Sequence, residues 1–151
     1  MNSDQSGIRR RRFLKLLGAA GISSMAATIT RPENAKAAAM KVDTRPFGRT
    51  GIQVPILSLG TMFDTGANQL LLRQAVKWGV TYWDTAQYYN RWGSEHGIGK
   101  YLAKYPEDRK KIFLVSKSGK RDVRGLTAEL NDSLNNLKTD YLDLFFVHAV
   151  D

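Results

Sequence analysis

Residues Tyr82–Asn90 read YWDTAQYYN. The stretch leaves a short run suited to a strand, Val80-Thr81-Tyr82-Trp83, sets Asp84 at its end and follows with Tyr88 and Tyr89. One tyrosine after a strand is packing. A carboxylate and a phenol in one loop just past a buried strand look like a site. What stands at the ends of the other strands decides between the two.

Working outward, Asn68 to Trp78 carries Leu71, Ala75 and Trp78 at helical spacing, with Leu72 and Val76 beside them. Gly79 is placed to stop that helix. Ser94 is placed to cap a helix running to about Lys104, and Glu95 suits its positive end. KIFLVS predicts a strand ending at Lys117. Leu126, Leu130, Leu134 and Leu137 form a helical stripe, and YLDLFFV predicts a strand ending at His148. Nearer the start, two extended pieces flank Gly48-Arg49-Thr50-Gly51, whose glycines suit a hairpin. Ile56 to Leu59 then forms a short apolar strand ended by Gly60-Thr61.

Strands alternating with helices predict a parallel sheet with right-handed crossovers. A doubly wound sheet usually carries a glycine-rich phosphate loop after its first strand. Here that position reads GTMFDTG, which lacks GxGxxG spacing. A (β/α)8 barrel needs no such loop and sets its active residues at the C-terminal ends of its strands. Asp84, Lys117 and His148 each end a predicted strand, so in a barrel they converge on one side.

Composition bounds the function. The chain has 151 residues, 42% hydrophobic and 25% charged, which is globular. Its net charge is +9, but residues 1–39 hold seven basic residues against two acidic ones. The other 112 residues mix 16 basic with 12 acidic side chains and show no basic stripe, so no nucleic-acid partner is expected. There are no cysteines, which excludes disulfides and thiolate-ligated clusters, and no metal site is expected.

Residues 1–39 read as an address. A charged start is followed by a weakly apolar run from about Leu16 to Ile29, too short for a stable membrane span, for which about 20 apolar residues are needed. Small residues suited to cleavage near Ala37 or Ala39 follow. Arg10-Arg11-Arg12-Phe13-Leu14-Lys15 resembles the twin-arginine export signal, with Arg9 where Ser or Thr usually stands. That resemblance implies the twin-arginine export machinery as a partner and a periplasmic or exported protein.

Residues 40–151 strongly resemble the N-terminal half of an aldo/keto reductase. The matching stretches are FGRTGIQVPILSLGT, WGVTYWDTAQYYNRWGSEHGIGKYL, IFLVSKSG and LNDSLNNLKTDYLDLFFVH. The resemblance implies a (β/α)8 TIM barrel, of which the hairpin and first four strands stand in this chain. It implies a tetrad of Asp84, Tyr89, Lys117 and His148, the tyrosine being the one five positions after the aspartate in D-T-A-x-x-Y. Ala149-Val150 follow the histidine where Trp-Pro or Gly often stands, which bears on the shape of the substrate pocket. The implied reaction is reduction of an aldehyde or ketone to an alcohol, with hydride from NADPH. Gly60, Thr61, Met62 and Asp84 would lie by the nicotinamide. Trp92 and His148 would border a small-molecule carbonyl substrate.

The residue types suit that chemistry. Hydride addition leaves a developing alkoxide that must be protonated. A phenol can donate the proton, although an ordinary phenol titrates near pH ~10. An ammonium beside it stabilises the phenolate, and a carboxylate holds the ammonium charged and oriented. An imidazole near the substrate oxygen can orient the carbonyl. Each residue alone has a plainer role: Asp84 a turn cap, Tyr88 and Trp92 packing, Lys117 a solvated cation, His148 a structural histidine, and His96 surface. Four matches at four successive expected places favour chemistry.

A full barrel takes about 250 residues, so this chain is expected to be the start of a longer reductase that alone binds NADPH poorly and turns over little. Two alternatives stand beside this. One is a non-catalytic nucleotide-binding or regulatory module on the same fold. The other is an exported reductase with an iron–sulfur extension.

Overall fold

The computed structural model describes residues 41–149, which fall in one compact unit, and the export signal read at residues 1–39 lies outside them. A two-stranded antiparallel hairpin comes first, β1 (Thr44–Pro46) and β2 (Gln53–Pro55). Its turn uses Gly48 and Gly51 at φ of 57° and 77°, which a side chain would strain. The Thr50 hydroxyl donates to the Phe47 carbonyl at 2.6 Å and closes the turn.

Four strands and three helices then alternate: β3 (Ser58–Gly60), α1 (Gln69–Trp78), β4 (Tyr82–Asp84), α2 (Gly93–Lys104), β5 (Phe113–Ser118), α3 (Val123–Leu137) and β6 (Leu144–Val147). A 3₁₀ helix, Pro106–Lys111, leads into β5. The strands are all parallel and stand in the order β3-β4-β5-β6. One register line runs Gly60, Asp84, Val115, Leu144. A doubly wound sheet reverses its strand order. This order runs one way, and α2 packs against both α1 and α3, so the helices line one face as barrel helices do.

The period of two along each strand sorts side chains to two faces. Leu59, Trp83 and Leu114 face the helices and pack with Leu72, Ala75, Ile98, Tyr101, Leu102 and Leu137. The fully buried Trp83 donates its ring N–H to the Val80 carbonyl at 2.9 Å, so it carries no unpaired polar atom into that core. Tyr82, Phe113, Val115 and Leu144 face the other way and pack on Val54 and Phe47 of the hairpin. The hairpin therefore plugs the N-terminal end of the inner face and leaves the C-terminal end for the polar residues.

Several local expectations change. In α1 the buried residues are Leu72 and Ala75, while Leu71 and Trp78 are exposed. The core lies one residue round the helix from the predicted stripe. Gly79 ends α1 in the left-handed region as expected, and its N–H reaches the carbonyls of Ala75 and Val76. Ser94 does not cap α2. The cap position is Trp92, with no side-chain bond, and the Ser94 hydroxyl is buried among other partners. Glu95 is also buried, accepting from the Ser116 hydroxyl at 2.6 Å and the Asn136 amide at 3.0 Å rather than lying free at the helix end. In α3 the leucine stripe from Leu126 to Leu134 is half-buried, and the deepest row is Glu129, Ser133 and Leu137. Strand β5 runs one residue past Lys117, and β6 ends one residue before His148.

Helices α2 and α3 approach at Gly99. A Cβ there would lie 2.0 Å from the Asn136 carbonyl oxygen, a backbone atom that cannot swing aside. Gly99→Ala should force the helices apart and destabilise the protein by about 1–3 kcal/mol, the usual range for overpacking. Thermal or denaturant unfolding measures this, and an unchanged midpoint would show slack between the helices.

In the 3₁₀ helix, Asp108 accepts from the Tyr101 hydroxyl at 2.5 Å and from Lys111 at 2.6 Å. Burial pushes the Asp108 carboxyl up, but the bonds from Lys111 and Tyr101 outweigh it and hold the group below the ordinary carboxylate value. A group depressed on folding contributes stability that is present above its unfolded value and lost as pH falls through the folded one. Stability should therefore fall as the medium is acidified through and below the ordinary carboxylate range. Asp108→Asn should be less stable at neutral pH and lose less on acidification. Parallel melting-temperature profiles for the two proteins would exclude Asp108 as a source of the acid sensitivity.

Candidate active site

Asp84 ends β4 and pairs in register with Val115. Lys117 lies two residues beyond Val115, so the strand alternation turns both side chains to the inner face. The Lys117 ammonium donates to the Asp84 carboxylate, to the Thr85 carbonyl at 2.9 Å and to the Tyr89 hydroxyl at 3.1 Å. An ammonium has three donors, and all three have acceptors. The Lys117 side chain is only 12% exposed, so this full set of partners is what makes its burial tolerable. Its nitrogen also lies 4.6 Å from the Tyr89 ring centroid.

The backbone of Asp84 is fixed from β3. The Thr61 N–H and hydroxyl both donate to the Asp84 carbonyl, at 3.0 and 2.8 Å. The buried Ser94 hydroxyl lies 2.7 Å from the Thr61 carbonyl oxygen, 2.8 Å from the Thr61 hydroxyl and 2.9 Å from the Thr85 hydroxyl. The start of α2 is thereby locked to the ends of β3 and β4. Between Tyr89 and α2, Asn90, Arg91 and Trp92 take positive φ of 49°, 51° and 73° in succession. Such residues cost about 1–2 kcal/mol each, so the loop stays in place only because its flanks are held.

His148 follows β6. Its N–H donates to the Ser118 carbonyl at 2.7 Å, which extends the strand ladder by one bond. Arg121 donates to the carbonyls of His148 and Ala149 at 2.7 and 2.8 Å. The imidazole stands edge-on to the Tyr89 ring, with centroids 5.9 Å apart and planes at 71°. Asp84, Lys117, Tyr89 and His148 thus form one continuous group.

The other predicted site residues surround this group. Gly60 lies directly across from Asp84 and is exposed, with no atom within 4 Å of where a Cβ would stand. Thr61 is buried, and its side chain is used internally. Met62 is 72% exposed. Trp92 is half exposed and packs on Tyr88, ring centroids 4.4 Å apart. Among the described residues, no group of three or more His, Asp or Glu side chains is arranged to hold a metal ion. Sequence reasoning missed Thr85, which acts through its backbone carbonyl, and took Ser94 for a cap. Only the Thr of D-T-A-x-x-Y marked the first, and nothing local marked the second.

The arrangement can hold and pass a proton. The ammonium donates to the phenol oxygen at 3.1 Å, and a carboxylate on its other side anchors it. A substrate oxygen between the phenol and the imidazole would meet two donors where negative charge develops.

The chain matches the family model described as "Aldo/keto reductase family" over residues 57–151. It is 34% identical over 129 residues to the uncharacterized oxidoreductase YrpG of Bacillus subtilis (strain 168), covering 70% of this chain and 39% of that protein. It is 32% identical over 110 residues to the NADPH-dependent codeinone reductase 1-3 of Papaver somniferum, covering 66% of this chain and 33% of that one. Among solved structures it is similar to the thermostable aldo-keto reductase Tm1743, determined with the inhibitor epalrestat. The TM-score is 0.65 at 32% identity, with 73% of this chain and 44% of that one covered. The fold is thus of the α/β TIM-barrel type, and the chain spans well under half the length of the curated relatives named here.

Proposed function

The chain belongs to the aldo/keto reductase family, and from that premise we propose that its protein is a nicotinamide-dependent oxidoreductase that reduces aldehydes or ketones to alcohols through Asp84, Tyr89, Lys117 and His148. The observation that carries this is the single ammonium shared by Asp84, the Thr85 carbonyl and the Tyr89 hydroxyl. It joins residues 33 positions apart, and neither packing nor solvation of a lysine requires it.

The residues around this group fit a nicotinamide cofactor. Gly60 leaves open space beside Asp84, where a flat ring can lie against backbone. Gly60, Met62 and Asp84 would line it, and Thr61, whose N–H and hydroxyl both go to the Asp84 carbonyl, would hold Asp84 in place beside it. NADPH is preferred to NADH here because the codeinone reductases among the relatives are named NADPH-dependent. When bound, the cofactor supplies the hydride to the carbonyl carbon. Tyr89 gives its proton to the carbonyl oxygen, which becomes the alcohol. Lys117 donates to the phenolate left behind, Asp84 holds Lys117 in place, and solvent returns the proton. His148 donates to the same oxygen and orients it, and Trp92 walls the substrate side.

Tyr89→Phe tests the assignment in the intact protein. Carbonyl-dependent NADPH oxidation should fall by about 10²–10⁴, the usual share of a general acid. NADPH binding, read by fluorescence quenching, should be retained. An unimpaired rate in Tyr89→Phe would remove the phenol from the chemistry.

Residues 1–39 are proposed as a twin-arginine export signal, on the strength of Arg10-Arg11-Arg12-Phe13-Leu14-Lys15 and the weakly apolar run after it. The protein would then act in the periplasm or outside the cell. Replacing Arg10 and Arg11 with lysine should abolish export of a folded reporter fused after residue 39. Continued export of that variant would sink the assignment.

A further inference from the structure

Glu129 is a buried carboxylate that the proposed chemistry does not use. It sits in the middle of α3, is 7% exposed, and has no cation bonded to it among the described residues. One oxygen accepts from the Ser118 hydroxyl at 2.6 Å and the Gly119 N–H at 3.1 Å. The other accepts from the Tyr88 hydroxyl at 2.5 Å. Burial pushes the carboxyl up, but the bonds from Ser118, Tyr88 and Gly119 outweigh it and hold it low.

The partners matter more than their number. Ser118 follows Lys117, and Tyr88 precedes Tyr89. Had Glu129 bound only Ser118 and Gly119, it would be an ordinary anchor for the turn between β5 and α3. The phenol of Tyr88, 41 residues away, comes from the other side of the site. That phenol belongs to the loop carrying three successive left-handed residues. The turn also lies close under its ring, since a Cβ on Gly119 would come within 3.2 Å of Tyr88 Cε2. The Tyr88 ring in turn packs edge-on against Trp92.

We infer that Glu129 is a positioning residue, which ties the residue after Lys117 and the residue before Tyr89 to one carboxylate and so sets the distance between ammonium and phenol. The Lys117 bonds fix the tips of the two side chains. Glu129 fixes the backbones they grow from, and through Tyr88 it holds Trp92 as the wall of the pocket. A misplacement of about 1 Å in a reacting pair can lower a rate by about 10²-fold. A device that sets this distance therefore acts on turnover without touching substrate.

The kinetic part of this rests on the reductase reading, whereas the coupling of the two loops does not. Hydrogen–deuterium exchange by mass spectrometry on the intact protein tests the coupling, using peptides over residues 86–92 and 117–121. Glu129→Gln keeps the shape but turns an amide N–H toward a donor. It should speed exchange in both peptides and lower kcat by about 10–10²-fold, with little change in the KM for NADPH. Tyr88→Phe removes one bond from an exposed edge and should speed exchange at residues 86–92. Asp108→Asn, a destabilising change away from the site, should alter neither peptide nor kcat. Faster exchange only at 117–121 in Glu129→Gln, or none in either peptide, would reduce Glu129 to a turn anchor and overturn the proposal. If Glu129→Gln does not fold, Tyr88→Phe decides, and unchanged exchange at 86–92 overturns it. A wild type that shows loop coupling but no carbonyl-dependent oxidation would refute the reductase reading and leave the coupling standing.

Discussion

A lysine ammonium taken out of water must find partners for all its N–H groups, and Lys117 finds three. Much of the local architecture follows from that requirement. Asp84 must end β4 one step short of Lys117 along β5, which the parallel register provides by pairing Asp84 with Val115. The Thr85 carbonyl must turn inward, which ends the strand there. The Tyr89 hydroxyl must reach back over the sheet, and the loop beyond it reaches α2 only through three residues at positive φ. The loop carries a conformational penalty of about 1–2 kcal/mol per residue, which the bonds that hold its flanks, Tyr89 to Lys117 among them, offset.

The two faces of the sheet divide the work. On the inner face, apolar residues at the N-terminal end, plugged by Val54 and Phe47, give way to Asp84 and Lys117 at the C-terminal end. On the outer face the order is similar but the chemistry differs. Leu59, Trp83 and Leu114 make the helix-facing core, and Ser116 and Ser118 then bind Glu95 from α2 and Glu129 from α3. Inner-face polar groups are paired with one another around a cation. Outer-face carboxylates are paired with neutral donors of the strand, the loops and α3. An uncompensated carboxylate in such a place would be very unfavourable, so hydroxyls at two successive outward positions of β5 are a structural requirement of those two glutamates.

The sequence was most legible where the signal was local. The strand-end residues Asp84, Lys117 and His148 followed from alternation of apolar runs and helical stripes, because in a parallel sheet the ends of all strands share a side. Gly79 as a helix stop was also legible, since a left-handed C-terminal residue is a property of one position. The illegible parts were those set by partners far along the chain. Ser94 has the residue type and position of a cap, yet Thr61, 33 residues earlier, takes its hydroxyl. The stripe of Leu126, Leu130, Leu134 and Leu137 looks like the core face of α3. The deepest row instead runs Glu129, Ser133 and Leu137, only the last of which belongs to the stripe, and Tyr88 and Ser118 bring donors to Glu129. Apolar periodicity finds a buried face only when burial is apolar.

Tyr88 shows why the opening pair of tyrosines had to be two. Consecutive residues in a tight loop point in different directions, so one phenol cannot face both the ammonium and the helix. Tyr89 faces inward to Lys117, and Tyr88 faces α3, where Glu129 receives it. A leucine at position 88 would cover Trp92 equally well but could not answer a buried carboxylate. The phenol there is therefore specified by α3, and the phenol at position 89 by β5. The loop between β4 and α2 is set by β5 and α3, both further along the chain, so the geometry of the site depends on a helix that contributes no residue to it.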